Sequence, residues 1–175
     1  MTTYDFVPVS LKSLDGLQVE LIVLPFFSDA RPLKGAAGLI DWRLCGALSR
    51  KLLSGHLDGH FGEKGMITAP SKLKAEALLL VGLGSAASFD RSVAKRACAL
   101  IAKTLRESKV TTVAIELPGR SLDLIAALEV MQLWLAASRH DQLLEELSVI
   151  ELAQEHRALG SLLDGLRRRS ESPLE

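Results

Sequence analysis

The chain has 175 residues, 48% of them hydrophobic and 24% charged, with a mean hydropathy of +0.22. That length suits one domain, able to remove roughly 70% of the unfolded chain's surface from water without a disulfide or structural metal, and its composition is too apolar for disorder. The 21 basic and 21 acidic side chains cancel, which excludes the cationic footprint that a nucleic-acid backbone demands.

Two cysteines, Cys45 and Cys98, are too few for a secreted disulfide framework, so a reducing, cytoplasmic setting is expected. Residues 1–10 lack the basic flank and apolar core of a signal peptide. The most apolar run, 124–137, is interrupted by Glu129 and Gln132 and falls short of the roughly 20 residues of a membrane span, so no membrane association is expected. With no internal repeat or linker, one domain is expected over 1–170, followed by a short tail over 171–175.

Residues 4–11 place Val7, Val9 and Leu11 on one face, and Pro8 removes a ladder donor, which predicts a half-buried edge strand. Asp15-Gly16 reads as a turn. Residues 17–24 then form an antiparallel hairpin arm entering a buried strand, ended by Pro25. A loop over 26–38 leads to a helix over about 41–53, with Asp41 as N-cap, Leu44, Leu48 and Leu52 as its inward stripe and Gly55 as its stop. Met66-Ile67-Thr68-Ala69 reads as a short strand and Leu78-Leu79-Leu80-Val81 as a central one.

Ser88 or Asp90 opens a covering helix, with Val93, Ala97, Leu100, Ile101, Thr104 and Leu105 on one side and basic residues on the other. Val113-Ala114-Ile115 is a further buried strand. The helix opened by Ser121 and running to Ser138 is apolar nearly all round, so it is either deeply buried or covered by a partner. Residues 147–152 read as a last strand, and Leu159, Leu162, Leu163 and Leu166 mark a last amphipathic helix. Strands alternating with helices imply a three-layer α/β domain, a mixed but mostly parallel sheet flanked by helices, with the amino-terminal hairpin as its antiparallel edge.

Gly82-Leu83-Gly84-Ser85-Ala86-Ala87 fits G-x-G-x-x-A after an apolar strand, the pattern of a turn that cradles a diphosphate. It lies mid-chain, however, and Glu116, the nearest acid at a strand end, follows Gly82 by 34 residues, where a ribose-binding acid follows at about 20. A tight strand-to-helix turn accounts for the same glycines. His56 and His60 have the spacing of metal ligands on a helix, but Gly55, Gly59 and Gly62 favour a solvated loop, and His140 and His156 stand alone. Cys45 and Cys98 read as small buried hydrophobes. Arg167-Arg168-Arg169 is the solvated end of a helix. No nucleophile elbow, P-loop or metal-binding motif is present, so no catalytic residue, metal or cofactor is assigned.

Gly46-Ala47-Leu48-Ser49-Arg50-Lys51-Leu52, then Lys74-Ala75-Glu76-Ala77-Leu78-Leu79-Leu80-Val81-Gly82-Leu83-Gly84, and the helix after Asp90 resemble the amino-terminal domain of leucine aminopeptidases over nearly the whole chain. The resemblance implies a macro-domain-like fold, related to domains that bind ADP-ribose. It also implies that catalysis and two metal ions belong to a separate carboxy-terminal domain, whose Asn-Thr-Asp-Ala-Glu-Gly-Arg motif has no counterpart here. By the macro-domain comparison, Gly35-Ala36-Ala37-Gly38-Leu39-Ile40 resembles the loop and helix that hold a diphosphate, and Gly82, Gly84 and Ser85 form a second loop at the same sheet edge. Glu20 stands for the adenine-contacting Asp, while Pro25-Phe26-Phe27-Ser28 replaces the Asn-Ala-Ala-Asn of ADP-ribose binders.

The expected role is thus a stand-alone, non-catalytic interaction, assembly or regulatory module, acting on a protein partner or by self-association through Leu128, Met131, Leu133 and Trp134. Two alternatives stand beside it: a nucleotide-type ligand module using Glu20, Gly35, Gly38, Gly82, Gly84 and Ser85, and one subunit of a split metallo-aminopeptidase.

Overall fold

The computed structural model describes residues 2–55, 57–139 and 142–171. In chain order they form β1 (Thr3–Pro8), α1 (Leu11–Gly16), β2 (Leu21–Phe26), α2 (Gly35–Arg43), α3 (Ala47–Leu53), β3 (Lys64–Thr68), β4 (Ala77–Gly82), α4 (Arg91–Ser108), β5 (Thr112–Glu116), α5 (Ala127–Ser138), β6 (Glu146–Glu151) and α6 (His156–Glu171). Of the expected tail, only Glu171 at the end of α6 lies among them.

Strand alternation divides the core into two. Leu21 and Val23 of β2, Leu79 and Val81 of β4, Val113 and Ile115 of β5, and Leu147 and Val149 of β6 point to the side covered by α4, α5 and α6. Ile22, Leu24, Leu78, Leu80, Ala114 and Ile150 point to the opposite side, covered by α1, α2 and α3. The three expected layers are therefore present, and each buried Leu, Ile or Val contributes roughly 1.5–3 kcal/mol to holding them together. α4 starts where Asp90 accepts from the Val93 amide at 2.9 Å, and Gly55 ends α3 with φ at 73°.

The sheet order is β1-β6-β5-β2-β4-β3. The expected amino-terminal hairpin is not formed. Residues 11–16 are α1, capped by the Ser10 hydroxyl on the Ser13 amide, and β1 crosses to pair in parallel with β6 from Thr3↔Glu146 to Pro8↔Glu151. The antiparallel edge is β3 against β4 instead. Nor does Pro25 end β2. The ladder to β5 stops at Val23↔Ile115 while that to β4 runs to Phe26↔Gly82, so the residue without an N–H falls where one neighbour has already departed.

The helix expected over 41–53 is two helices. Cys45 (φ 55°) and Gly46 (φ 78°) turn left-handed between them, which leaves Cys45 exposed and not buried. Asp41 lies inside α2, yet its carboxylate accepts from the Ser49 amide at 3.0 Å and from the Ser49 hydroxyl, so it caps α3 from the preceding helix. α5 begins at Ala127, not Ser121. Arg120–Leu122 is a single 3-10 turn, Asp123 is left-handed (φ 53°), and the Leu124 amide returns to the Gly119 carbonyl, which together prevent an earlier helix start.

Chain order reverses between β2 and β5: β4 is added on one side of β2, and β5 and β6 on the other. The crevice beyond the carboxyl ends of β2 and β5 is where open α/β sheets receive ligands.

Candidate functional site

Two elements meet at that crevice. β5 ends in Glu116, and the loop after β2 delivers the N-terminus of α2 with Gly35 at φ 60°. Lys34, the N-cap residue of α2, makes no side-chain cap. Glu116 takes that part from across the sheet: its Oε1 accepts from the Ala36 amide at 3.0 Å. A Cβ at Gly35 would overlap the Glu116 carboxyl, so glycine here makes room for the acid.

Glu116 is 3% exposed, and its Oε2 has no hydrogen-bond partner among the described residues. Burial pushes its carboxyl up to about 8; the Ala36 amide opposes this, the charge of Glu151 reinforces it and that of Arg120 opposes it. Beside it, at the end of β6, Glu151 receives Arg120 in a fork, Nε to Oε2 at 2.6 Å and Nη2 to Oε1 at 3.1 Å. Arg120 Nη1 also donates to Asp123 Oδ1 and to the Ile125 carbonyl, each at 2.6 Å, which pins the loop after β5. Burial lowers the Arg120 pKa, but its bonds to Glu151 and Asp123 prevail and raise it.

The Gly82–Ala87 turn is likewise satisfied from within. Gly82 N donates to Glu63 O, Leu83 N to Phe26 O and Gly84 N to Gly59 O, while Asp29 receives the Ala86 amide at 2.8 Å and the Ser85 hydroxyl. Those bonds hold the Asp29 carboxyl below the ordinary range, the Ala86 amide first. A Cβ at Gly82 would overlap the His60 carbonyl, and the nearby loop is gathered by Glu63, whose Oε2 accepts from the amides of Asp58, Gly59 and His60. Burial raises Glu63, but those three amides outweigh it and the carboxyl sits low. Phe27, Leu83 and Ala97 pack beside the turn with Phe61, Phe89 and Leu122 against them, and Phe27 meets Phe89 edge-on at 5.2 Å.

The other expected residues lie apart. Glu20 stands just before β2, separated from the α2 N-terminus by a strand of about 20 Å. Its carboxylate accepts from the Thr111 and Thr112 amides at 2.6 and 2.9 Å, bonds that lower its pKa and tie β2 to β5. Gly38 lies within α2, where a Cβ would overlap the Leu33 carbonyl. His60 is on an exposed loop, and His156 Nε2 lies 2.9 Å from the Glu151 carbonyl. His56 and His140 lie outside the described residues. Among the described residues no three His, Cys, Asp or Glu side chains gather as a metal site requires. Cys98 is buried, its thiol pushed up to about 12 by burial.

The expected interaction face needs correction. Met131 and Trp134 are fully buried and Leu133 nearly so, because this side of α5 packs on the sheet and α4; only Leu128 of the four is exposed. The outer side of α5 presents Gln132, Leu135 and Ala136 to Leu162, Gly165 and Leu166 of α6, and between them runs a groove of about 590 Å³. Sequence reasoning weighed Glu116 only as a ribose-binding acid and missed its grouping with Arg120 and Glu151. Its signal was two apolar strands that each end in an acid, Ile115-Glu116 and Ile150-Glu151.

A sequence profile of the cytosol aminopeptidase family, N-terminal domain, matches residues 23–146, well over half of the chain. The chain belongs to this family. A probable cytosol aminopeptidase of Synechocystis is 32% identical over 106 residues, covering 61% of this chain and 22% of that protein. One of Burkholderia orbicola is 33% identical over 104 residues, covering 59% and 20%. The chain thus spans about a fifth of the length of these relatives. A mutant tomato leucine aminopeptidase superposes with a TM-score of 0.59 at 16% identity, over 94% of this chain and 37% of that one. The Trypanosoma brucei macrodomain in complex with ADP-ribose gives a TM-score of 0.70 at 14% identity, over 93% and 69%. The family's N-terminal domain therefore carries a macrodomain-like α/β fold here. No helix among the described residues is long and apolar enough to cross a membrane.

Proposed function

We propose that the chain is a non-catalytic assembly module of its family, and that the α5–α6 groove receives the family's remaining, catalytic portion, whether from the same or a separate chain. The supporting observation is a contrast. Carboxyl groups of the chain itself meet backbone amides near the sheet's carboxyl edge, while Leu135, Leu162 and Leu166 line a groove that is still open. In the matched relatives this domain is only about a fifth of the protein, so it has the rest of a long chain to contact.

The test is sedimentation velocity of the chain mixed with a separately expressed catalytic portion of a cytosol aminopeptidase. A complex is expected, weakened about tenfold or more by Leu166→Glu while the melting temperature stays in place. Absence of any complex with the unaltered chain overturns the reading.

A nucleotide-type ligand is the second reading, favoured by the likeness to a macrodomain solved with ADP-ribose. It requires Gly35, Gly38, Gly82 and Gly84 to offer free amides, and the pairing of Gly38, Gly82 and Gly84 with backbone carbonyls counts against it.

A further inference from the structure

The two edge strands of the sheet are finished differently. β1 meets β6 through the backbone groups of Thr3, Asp5 and Val7, the Thr3 amide donating to the Glu145 carbonyl, so those of Phe6 and Pro8 face outward. That edge is blunted: Asp5 Oδ1 takes the Phe6 amide at 2.9 Å, and Pro8 has no N–H to offer. At the opposite edge β3 meets β4 through residues 63, 65, 67 and 69, as Gly82 N on Glu63 O and Ala69 N on Glu76 O fix the alternation. The N–H and C=O groups of Lys64, Met66 and Thr68 therefore face outward, and among the described residues no side chain or further strand takes them up.

Beside this edge runs a groove of about 250 Å³, lined by Lys51 of α3, by Leu57 and by Lys64, Met66 and Ile67 of β3. Leu57 lies against Gly65, where a Cβ would overlap it, and Met66 is 58% exposed. None of the residues lining the groove is acidic. Among the described residues neither lysine makes an ion pair: Lys64 reaches the Thr104 hydroxyl at 3.3 Å, and Glu63, the adjoining acid, is held by the amides of Asp58, Gly59 and His60.

We infer that β3 is a docking edge for an extended acidic segment of a protein partner, which adds a further strand to the sheet while its carboxylates meet Lys51 and Lys64 and an apolar side chain covers Met66. A second copy of β3 is the poorer occupant, because it would gather the lysines of both copies along one seam whose lining holds no acid. The inference does not depend on the α5–α6 groove, which is lined by other elements.

The probe is a capped peptide of alternating glutamate and valine, with a lysine and valine peptide as its control, titrated into the chain and followed by nuclear magnetic resonance. Saturable binding of the acidic peptide is expected. Hydrogen exchange should slow at the Lys64, Met66 and Thr68 amides and change little at Gly65 and Ile67, whose amides already face β4. Lys51→Glu, an exposed change off the strand, should weaken binding about fivefold or more with the melting temperature in place. Signal shifts without slowed exchange would mean charge attraction without strand pairing, and overturn the inference. Equal binding of the lysine and valine peptide, or no binding of either, does the same. If the three amides exchange slowly in the chain alone and sedimentation velocity shows a dimer, the edge belongs to a second copy and the inference fails.

Discussion

The carboxyl edge of the sheet and the α5–α6 face treat solvent in opposite ways. At the edge Glu116, Asp29 and Glu63 each hold backbone amides, and Arg120 binds the loop after β5 down to Glu151. On the α5–α6 face Leu135, Leu162 and Leu166 border an open groove. The difference teaches that turn and helix amides at this edge are met by the chain's own carboxyl groups, whereas the α5–α6 face is left open. The Ala36 amide is buried and must be paired by something, and the Glu116 carboxyl serves.

Arg120→Ala should alter the edge most. It leaves the Glu151 carboxylate buried without its partner and releases the Ile125 carbonyl, a loss of about 3–5 kcal/mol read by urea denaturation. A loss near zero would mean that the fork does not secure the edge.

Glu116→Gln comes next, and it separates protonation from shape. In the unfolded chain Glu116 ionises near 4.5, whereas the folded carboxyl holds its proton to about 8. Its contribution is therefore fully present below pH 4.5 and is lost as the pH rises through about 8, because the unfolded state sheds the proton first. Relative to the unaltered chain, the Gln variant should gain a few kcal/mol across that window and then level off. Denaturation curves at several pH values check this, and a difference that does not vary with pH contradicts a buried neutral acid.

A smaller effect distinguishes the glycines. Gly82→Ala drives a methyl group into the backbone around His60 and should cost about 1–3 kcal/mol. At Gly84 the neighbours are 3.7 Å away, and the cost is the left-handed backbone (φ 78°), about 1–2 kcal/mol. Paired melts of the two variants give the order. On the open face, Leu166→Glu should change stability by no more than about 0.5 kcal/mol, since Leu166 is already 41% exposed.

What the sequence disclosed follows what local pattern can carry. β4, β5, α4 and α6 were legible because an unbroken apolar run or a 3.6-residue stripe needs no knowledge of partners, and of the two offered helix starts, Ser88 and Asp90, the structure takes Asp90. The alternation in β1 showed an edge strand but not its neighbour, since β6 pairs with it from over 140 residues away. The break at Cys45 was hidden because Leu44, Leu48 and Leu52 keep one stripe across two helices. At the candidate site the glycines were visible, but their partners were not. Whether Gly35 faces a ligand or Glu116 depends on β5 lying beside β2, which is a matter of topology. Met131 and Trp134 were misplaced for a related reason: an all-apolar helix does not declare which side meets the sheet.

The most direct measurement is a thermal titration of the unaltered chain with ADP-ribose. If the amide cradles are filled from within, the melting temperature should stay constant up to millimolar ligand. A saturable rise, approaching the roughly 2.7 kcal/mol expected at 100 times the dissociation constant, would contradict it and make the sheet's carboxyl edge a working ligand site.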